Sequence, residues 1–392
     1  MPVLVALALG AAILTFPAAA SGAGTSGPTG SRSAALAHAS IERFDDPVAA
    51  RALTDLRRFT KWLARGGRRG KGMIGEVGWP GDPASGGESR WNRIAAAWYA
   101  EAERASLWVA AWATGEFWAP SYKLLAYGGS GGPVDRANAQ AAVIEQQRAP
   151  ELRGVNVAGA EFATPVDEAL HEFSNVNRGT YGRDYVYPSQ ATLVFLASRG
   201  ITYVRLPVRW ERLQPTLRAP LSGAESARLL EAIRRARAAG LKIVLDVHNY
   251  GAYYLHDAKI GAGVRRPIGS LHVPNGAFAN LWSRLARLVG HNSAVIGYGL
   301  MNEPVGMRGP GAWEAASRAA VHAIRATGSK KRIFVQSYFW GGAAQFPTQH
   351  PRGPWIRDAN TWYEAHQYFD RDRSARYVLS YDEELAAARR SG

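Results

Sequence analysis
A chain of 392 residues, 47% hydrophobic and 20% charged, suits one large α/β domain or two ordinary ones and is too apolar to stay disordered. The absence of cysteine removes disulfides and thiolate chemistry. Its net charge of +15 comes mostly from scattered arginines, with clusters such as Arg65/Arg68/Arg69 and Arg234/Arg235/Arg237 outside any nucleic-acid module, so a solvated basic surface is expected and no nucleic-acid partner.

In chain order, Leu4 to Phe16 is an apolar run followed by Ala18-Ala19-Ala20, which reads as a signal peptide over 1–20. No Lys or Arg precedes the run, so a retained anchor is the alternative; cleavage would leave a secreted protein with no stable membrane association. Residues 21–45, rich in Gly, Ser and Thr, read as a linker, and 46–392 as one domain. The spacing of Ala49, Leu53, Leu56, Phe59 and Leu63 predicts a helix over 46–65, ended by Gly66-Gly67. A short strand follows at 72–80 with Glu76 near its end, then a helix over 91–104 and a strand over 107–112 closing on Trp112. Further helices are predicted at 134–147, 189–199, 225–239, 278–289, 313–326 and 381–390. Strands are predicted at 152–157, 201–206, 242–248, 332–337 and 362–368, and long loops at 249–276 and 338–360. The stretch 294–305 reads as a buried strand ending in the carboxylate Glu303, with Pro304 stopping the ladder.

Eight strands alternating with helices are the pattern of a (β/α)8 TIM barrel. An open doubly wound sheet would want a Gly-rich phosphate turn after an early strand, and the chain has none. In a barrel the C-terminal strand ends share one mouth, and here they carry Glu76, Trp112, Arg205, His248, Asn302 with Glu303, and His366 with Tyr368. Asn249, which adjoins His248, and Trp340 in the aromatic loop after 332–337 are further candidates for binding the sugar, Trp340 as a stacking ring. Two carboxylates at one mouth suit glycosidic cleavage, one as a protonated acid and the other as an ionised nucleophile or base. Arg205, placed beside Glu76, would hold that carboxylate ionised. The nine histidines show no HExxH spacing, so no metal and no cofactor is expected.

Val204-Arg-Leu-Pro-Val-Arg-Trp-Glu-Arg-Leu-Gln-Pro215, Leu245-Asp-Val-His-Asn-Tyr250, Val273-Pro-Asn-Gly-Ala-Phe278, Gly299-Leu-Met-Asn-Glu-Pro304 and Ala365-His-Gln-Tyr368 together resemble glycoside hydrolase family five, most of all its endo-β-1,4-glucanases. Leu152 to Phe162 is similar to that family's first strand, and the resemblance runs from about 150 to 370. Lys71 to Glu76 is similar to the family's nucleophile strand and Leu107 to Trp118 to its eighth, which implies a circularly permuted barrel whose strands seven and eight precede strand one in the chain. The resemblance implies Glu303 as acid/base and Glu76 as nucleophile of a retaining enzyme, with the carboxyl groups about 5–5.5 Å apart. It further implies that Arg205 and Tyr368 polarise Glu76, that Asn302 and His248 bind sugar hydroxyls, that His366 supports the site and that Trp112 stacks on the sugar. The substrate would be a polysaccharide or oligosaccharide of cellulose type. An exo-acting β-glycosidase, a β-mannanase and an inactive carbohydrate-binding barrel stay open. Val305-Gly306 and Gly251 depart from the family's usual residues beside the groove.

Overall fold
The computed structural model describes residues 46–68, 71–81, 88–149, 153–164 and 169–391; the signal peptide expected at 1–20 and the linker at 21–45 lie outside them. Eight strands close into a barrel, in the same order around the ring as along the chain. They are β1 (Gly72–Gly78), β2 (Trp108–Thr114), β3 (Arg153–Val157), β4 (Tyr203–Val208), β5 (Lys242–Val247), β6 (Val295–Gly299), β7 (Arg332–Gln336) and β8 (Thr361–Tyr368). All neighbours pair in parallel, and the ring closes where β1 meets β8, with Glu76 opposite His366 and Gly78 opposite Tyr368. The fold is the (β/α)8 barrel that the alternation of patterns predicts.

Helices α1 (Pro47–Arg65), α2 (Glu88–Arg104), α3 (Ala141–Glu145), α4 (Gln190–Ser198), α5 (Gly223–Ala238), α6 (Asn275–Val289), α7 (Pro310–Arg325) and α8 (Tyr381–Ser391) alternate with the strands; a helical turn, Phe346–Gln349, serves between β7 and β8. Helix α1 shows why these segments are helical. Asp46 caps it by accepting from the Val48 and Ala49 amides, Pro47 sits at its first turn where no N–H is needed, and Gly66 ends it. Its buried face holds Ala49, Leu56, Phe59 and Leu63 of the five residues the spacing picks out, Leu53 being only half-buried; Trp62 joins them, its ring 4.8 Å from Phe346 and 4.9 Å from Tyr363. Among the described residues no helix is long and apolar enough to cross a membrane.

Three local expectations differ from the structure. The helix predicted over 134–147 shrinks to α3, because Arg136–Ala137 pairs with Tyr127–Gly128 and the Asn138 side chain bonds the Leu125 carbonyl. The loop predicted at 249–276 contains an antiparallel hairpin, Ala252–Asp257 with Ala262–Pro267, extended by Leu170–His171. The strand expected to run to Glu303 ends at Gly299; beyond it the Leu300 amide bonds β7, the Asn302 amide bonds β5 and the Glu303 amide bonds a side chain, so no regular ladder continues.

One end of the barrel is filled by Met73, Ala110, Tyr203, Val244 and Phe334, with Trp108, Ile296 and Trp362 packed against them. The Trp108 ring lies 5.3 Å from Tyr203 and 5.6 Å from Trp362, so the floor is a plug of interlocked aromatics. Gly154 admits this plug, since a Cβ there would fall 2.3 Å from the Tyr203 ring. The other end carries charge instead.

Candidate active site
Side chains alternate between the faces of a strand, so Glu364, His366 and Tyr368 of β8 all point into the barrel, as do Asp246 of β5 and Arg205 of β4. Glu76 of β1 joins them across the closing pair, opposite His366. Gly75 makes room, because a Cβ there would fall 1.9 Å from Glu364 Oε1. Glu303 arrives differently. Leu300 N–H donates to Phe334 O at 3.0 Å, Asn302 N–H to Val247 O at 2.8 Å and Glu303 N–H to Gln336 Oε1 at 2.8 Å. Its backbone is left-handed, with φ of +43°, a conformation that costs an L-residue about 1–2 kcal/mol and persists because these bonds hold it.

Arg205 is fully buried and anchors the charged end. Glu76 Oε1, Asn156 Oδ1, Asn302 Oδ1, Asp246 Oδ1 and Glu364 Oε1 lie 3.1, 2.9, 2.7, 3.0 and 2.9 Å from its nitrogens. Tyr368 Oη donates to Glu76 Oε2 at 2.7 Å. His366 Nδ1 stands between the two carboxylates, 3.3 Å from Glu76 Oε2 and 2.8 Å from Glu303 Oε1. The ligand atoms of Glu76, Glu303 and His366 all fall within 4.8 Å of one another.

Burial opposes charge on His366, but attraction to Glu76 and hydrogen bonds to Glu303 and Glu364 outweigh it and push its pKa up to about 10. The Gln336 amide nitrogen lies 2.9 Å from His366 Nε2, which suits an unprotonated Nε2; three carboxylates outweigh one neutral amide, and the ring is an imidazolium. Arg205 favours the ionised form of Glu76 as expected, and His366 adds a second cation that the sequence did not suggest. Burial raises the Glu76 pKa, the His366 and Arg205 cations pull it back, and the Glu303 carboxyl pushes it up again, for a net upward shift. Both cations therefore favour the ionised form of Glu76 against burial. Asp246, behind them, is raised by burial to about 7.

His248 is neutral, because burial drives its pKa well below the ordinary value. Its Nδ1 faces Asp246 Oδ2 at 2.8 Å, which leaves Nε2 to accept from Asn302 Nδ2 and Tyr250 Oη, both at 3.1 Å. It thus orients Asn302 and Tyr250. Its ring lies parallel to Trp112, 5.9 Å away at 19°. Trp112, joined to Ala113 by a cis peptide, is half-buried with Nε1 bonded to Tyr122 Oη at 3.0 Å. Trp340, also half-buried, stands 6.1 Å from Tyr250.

The structure therefore gathers Glu76, Arg205, His248, Asn302, Glu303, His366 and Tyr368 into one hydrogen-bonded cluster, with Trp112 and Trp340 beside it. Asn249 is the exception. Its Oδ1 accepts from the Trp210 amide and its Nδ2 donates to Glu211 and the Ala252 carbonyl, so it fastens the segment after β4 and has no polar atom left for a ligand. Sequence reasoning gave no role to Asn156, Asp246, Gln336, Glu364 or Tyr250. The signal for two of them was present: Asp246 and Glu364 are charges inside apolar strands, two residues before His248 and His366 and hence on the same face. As for a metal, the one group of three candidate ligands among the described residues is Glu76, Glu303 and His366, whose central imidazolium already supplies the positive charge.

Residues 155–388 match the family Cellulase (glycosyl hydrolase family 5). The manganese dependent endoglucanase Eg5A of Phanerodontia chrysosporium is 27% identical over 235 residues, covering 57% of this chain and 55% of that protein. Endo-β-1,4-glucanase A of Emericella nidulans is 29% identical over 230 residues, covering 56% and 61%. Among solved structures, the Pseudomonas stutzeri endoglucanase Cel5A is 33% identical with a TM-score of 0.51, covering 60% of this chain and 70% of that one. The same enzyme in complex with cellobiose gives 34% and 0.50, covering 57% and 62%. The chain thus spans little more than half the length of the curated relatives it matches.

Proposed function
The chain belongs to glycosyl hydrolase family 5, and from that premise we propose that it is a retaining endo-β-1,4-glucanase in which Glu76 is the nucleophile and Glu303 the acid/base. The observation that carries this reading is the spacing of the two carboxylates, whose oxygens share His366 Nδ1 and lie within 4.8 Å. Such a short approach of one oxygen of each carboxyl group favours the close pairing of a retaining enzyme over the wider pair of an inverting one. In the first step Glu76 Oε2 attacks the anomeric carbon while Glu303 gives its proton to the leaving oxygen; in the second, Glu303 takes a proton from the water that releases the sugar. The Tyr368 hydroxyl and the Arg205 guanidinium hold the Glu76 carboxylate in position for attack. Asn302, whose Oδ1 is fixed by Arg205 and whose Nδ2 is fixed by His248, stands beside the cleavage point, and Trp112 supplies a face for the ring. A cellulose-like chain is the substrate class that the relatives' names support.

Glu76→Gln and Glu303→Gln should each abolish release of reducing ends from soluble cellulose, and the wild-type product should keep the β anomer in proton NMR. Substantial turnover by either variant, or an α-anomeric product, sinks the reading.

The order of segments is part of the proposal. The family match begins at residue 155, whereas the ring needs β1 and β2 from earlier in the chain to close. A rotated order is favoured by the contact between α1 and α8, where Arg51 pairs with Glu384 at 3.3 Å and Tyr381 bonds Asp46. A rearranged chain running 150–392 and then 46–149 through a short linker should fold with the same activity; failure to fold overturns the rotation. We also place the protein outside the cell on the strength of the leader read at 1–20, to be checked by the N-terminal residue of protein recovered from culture medium.

A further inference from the structure
The hairpin after β5 does more than wall the barrel's mouth. Its strand Ala262–Pro267 is held on both sides, with Arg265 opposite Tyr254 on one edge and its amide donating to Ala169 O at 3.0 Å on the other. From this braced position the Arg265 guanidinium reaches back to the barrel. Its Nη2 donates to Tyr250 O at 2.6 Å and to Val305 O at 2.7 Å, and its Nη1 reaches Gly306 O at 3.5 Å. Tyr250 lies in the loop after β5, and Val305 in the loop after β6, two residues past Glu303.

Both loops carry strain at the residue that faces the site, with φ of +52° at Tyr250 and +43° at Glu303. Neither residue is a glycine, so each conformation is strained and has to be held by its surroundings. The direct link between the loops, Val305 N–H to Tyr250 O, is long at 3.4 Å. The guanidinium makes the shorter, charge-assisted bonds, which are worth about twice a neutral one. Gly306 is shaped to admit it, since a Cβ there would fall 2.6 Å from Arg265 Nη1.

We propose that Arg265 is a positioning residue for the acid/base carboxyl: a single guanidinium nitrogen bolts the Glu303 loop to the Tyr250 loop and so fixes the direction in which Glu303 delivers its proton. The inference rests on the assignment of Glu303 as acid/base. Arg265 acts through the backbone carbonyls of Tyr250 and Val305.

Arg265→Ala and Arg265→Lys are to be compared on two substrates by kcat/KM, which reports the bond-breaking step. Cellotetraose needs a proton on its leaving oxygen, whereas 2,4-dinitrophenyl β-cellobioside does not. Arg265→Ala should lose about tenfold or more on cellotetraose and less than about threefold on the dinitrophenyl substrate, with part of the loss restored in Arg265→Lys. Equal losses on both substrates overturn the proposal. Amide hydrogen exchange gives a reading independent of turnover: amides at 250–252 and 302–307 should exchange about tenfold faster in the variants while the barrel strands keep their protection. Unchanged exchange at both loops also overturns it. If the wild type cleaves neither substrate, the hydrolase assignment falls and the exchange result still decides whether the bolt exists. Arg265→Lys carries both measurements if Arg265→Ala does not fold.

Discussion
Replacing Arg205 by Lys tests the electrostatic logic of the site most directly. The guanidinium is fully buried and faces five acceptor oxygens within 3.1 Å, on Glu76, Asn156, Asn302, Asp246 and Glu364. The guanidinium donates to Glu76, Asn156 and Asn302 and is ion-paired with Asp246 and Glu364, and a compact ammonium cannot reproduce that planar fork, so at least one of the three hydrogen bonds is lost inside the barrel. Each buried polar group left unsatisfied costs about 1–3 kcal/mol. A domain with about 5–15 kcal/mol of stability stays folded at the lower end of that loss, which makes the variant measurable. Urea unfolding gives the stability difference. The pH dependence of kcat/KM gives the second half of the test. Burial already raises the Glu76 pKa, and Arg205 is one of two cations that oppose this, so weakening its contact raises the pKa further. Glu76 must be ionised to attack, so the acid limb of the profile should move up by about one pH unit or more. A stability change under about 0.5 kcal/mol together with an unmoved acid limb would refute the reasoning.

Glu161, buried in the loop after β3, has a pKa raised by desolvation from 4.5 to about 8. Between those values the folded state binds a proton that the unfolded state has released, so stability falls as pH rises through that window, by at most about 1.4 kcal/mol per unit, and levels off above it. Glu161→Gln should flatten that slope in urea melts taken across the window; parallel slopes in variant and wild type would rule the effect out. Asn249→Ala should cost about 1–3 kcal/mol of stability with KM for cellotetraose unchanged, and a raised KM at full stability would return Asn249 to the binding site. Trp112→Ala should weaken cellotetraose binding to a Glu303→Gln background by about tenfold in calorimetry; equal affinity would show that the ring does not touch the sugar.

Much of the barrel was legible because its strands are short apolar runs between helices whose buried faces repeat every three to four residues, as in α1. The placement of Glu76, Arg205, Glu303 and His366 at one mouth followed from the same alternation. Local pattern failed where side chains competed with it. The Asn138 amide and the pairing of Arg136–Ala137 overrode a helical periodicity, and a hairpin rich in Arg and Tyr passed for a loop. Asn249 was misjudged because adjacency to His248 says nothing about direction, and its side chain turns to Trp210 and Glu211.

By itself the sequence determined which residue types stand at the strand ends and how the strands follow one another, since both depend on spacing along the chain. The balance of charge did not. Whether Glu76 ionises depends on Arg205, His366 and Glu303, which converge from β4, β8 and the loop after β6, and on burial that no local pattern records. Coulombic coupling falls off with distance in space, not along the chain, so only the closed ring could decide it.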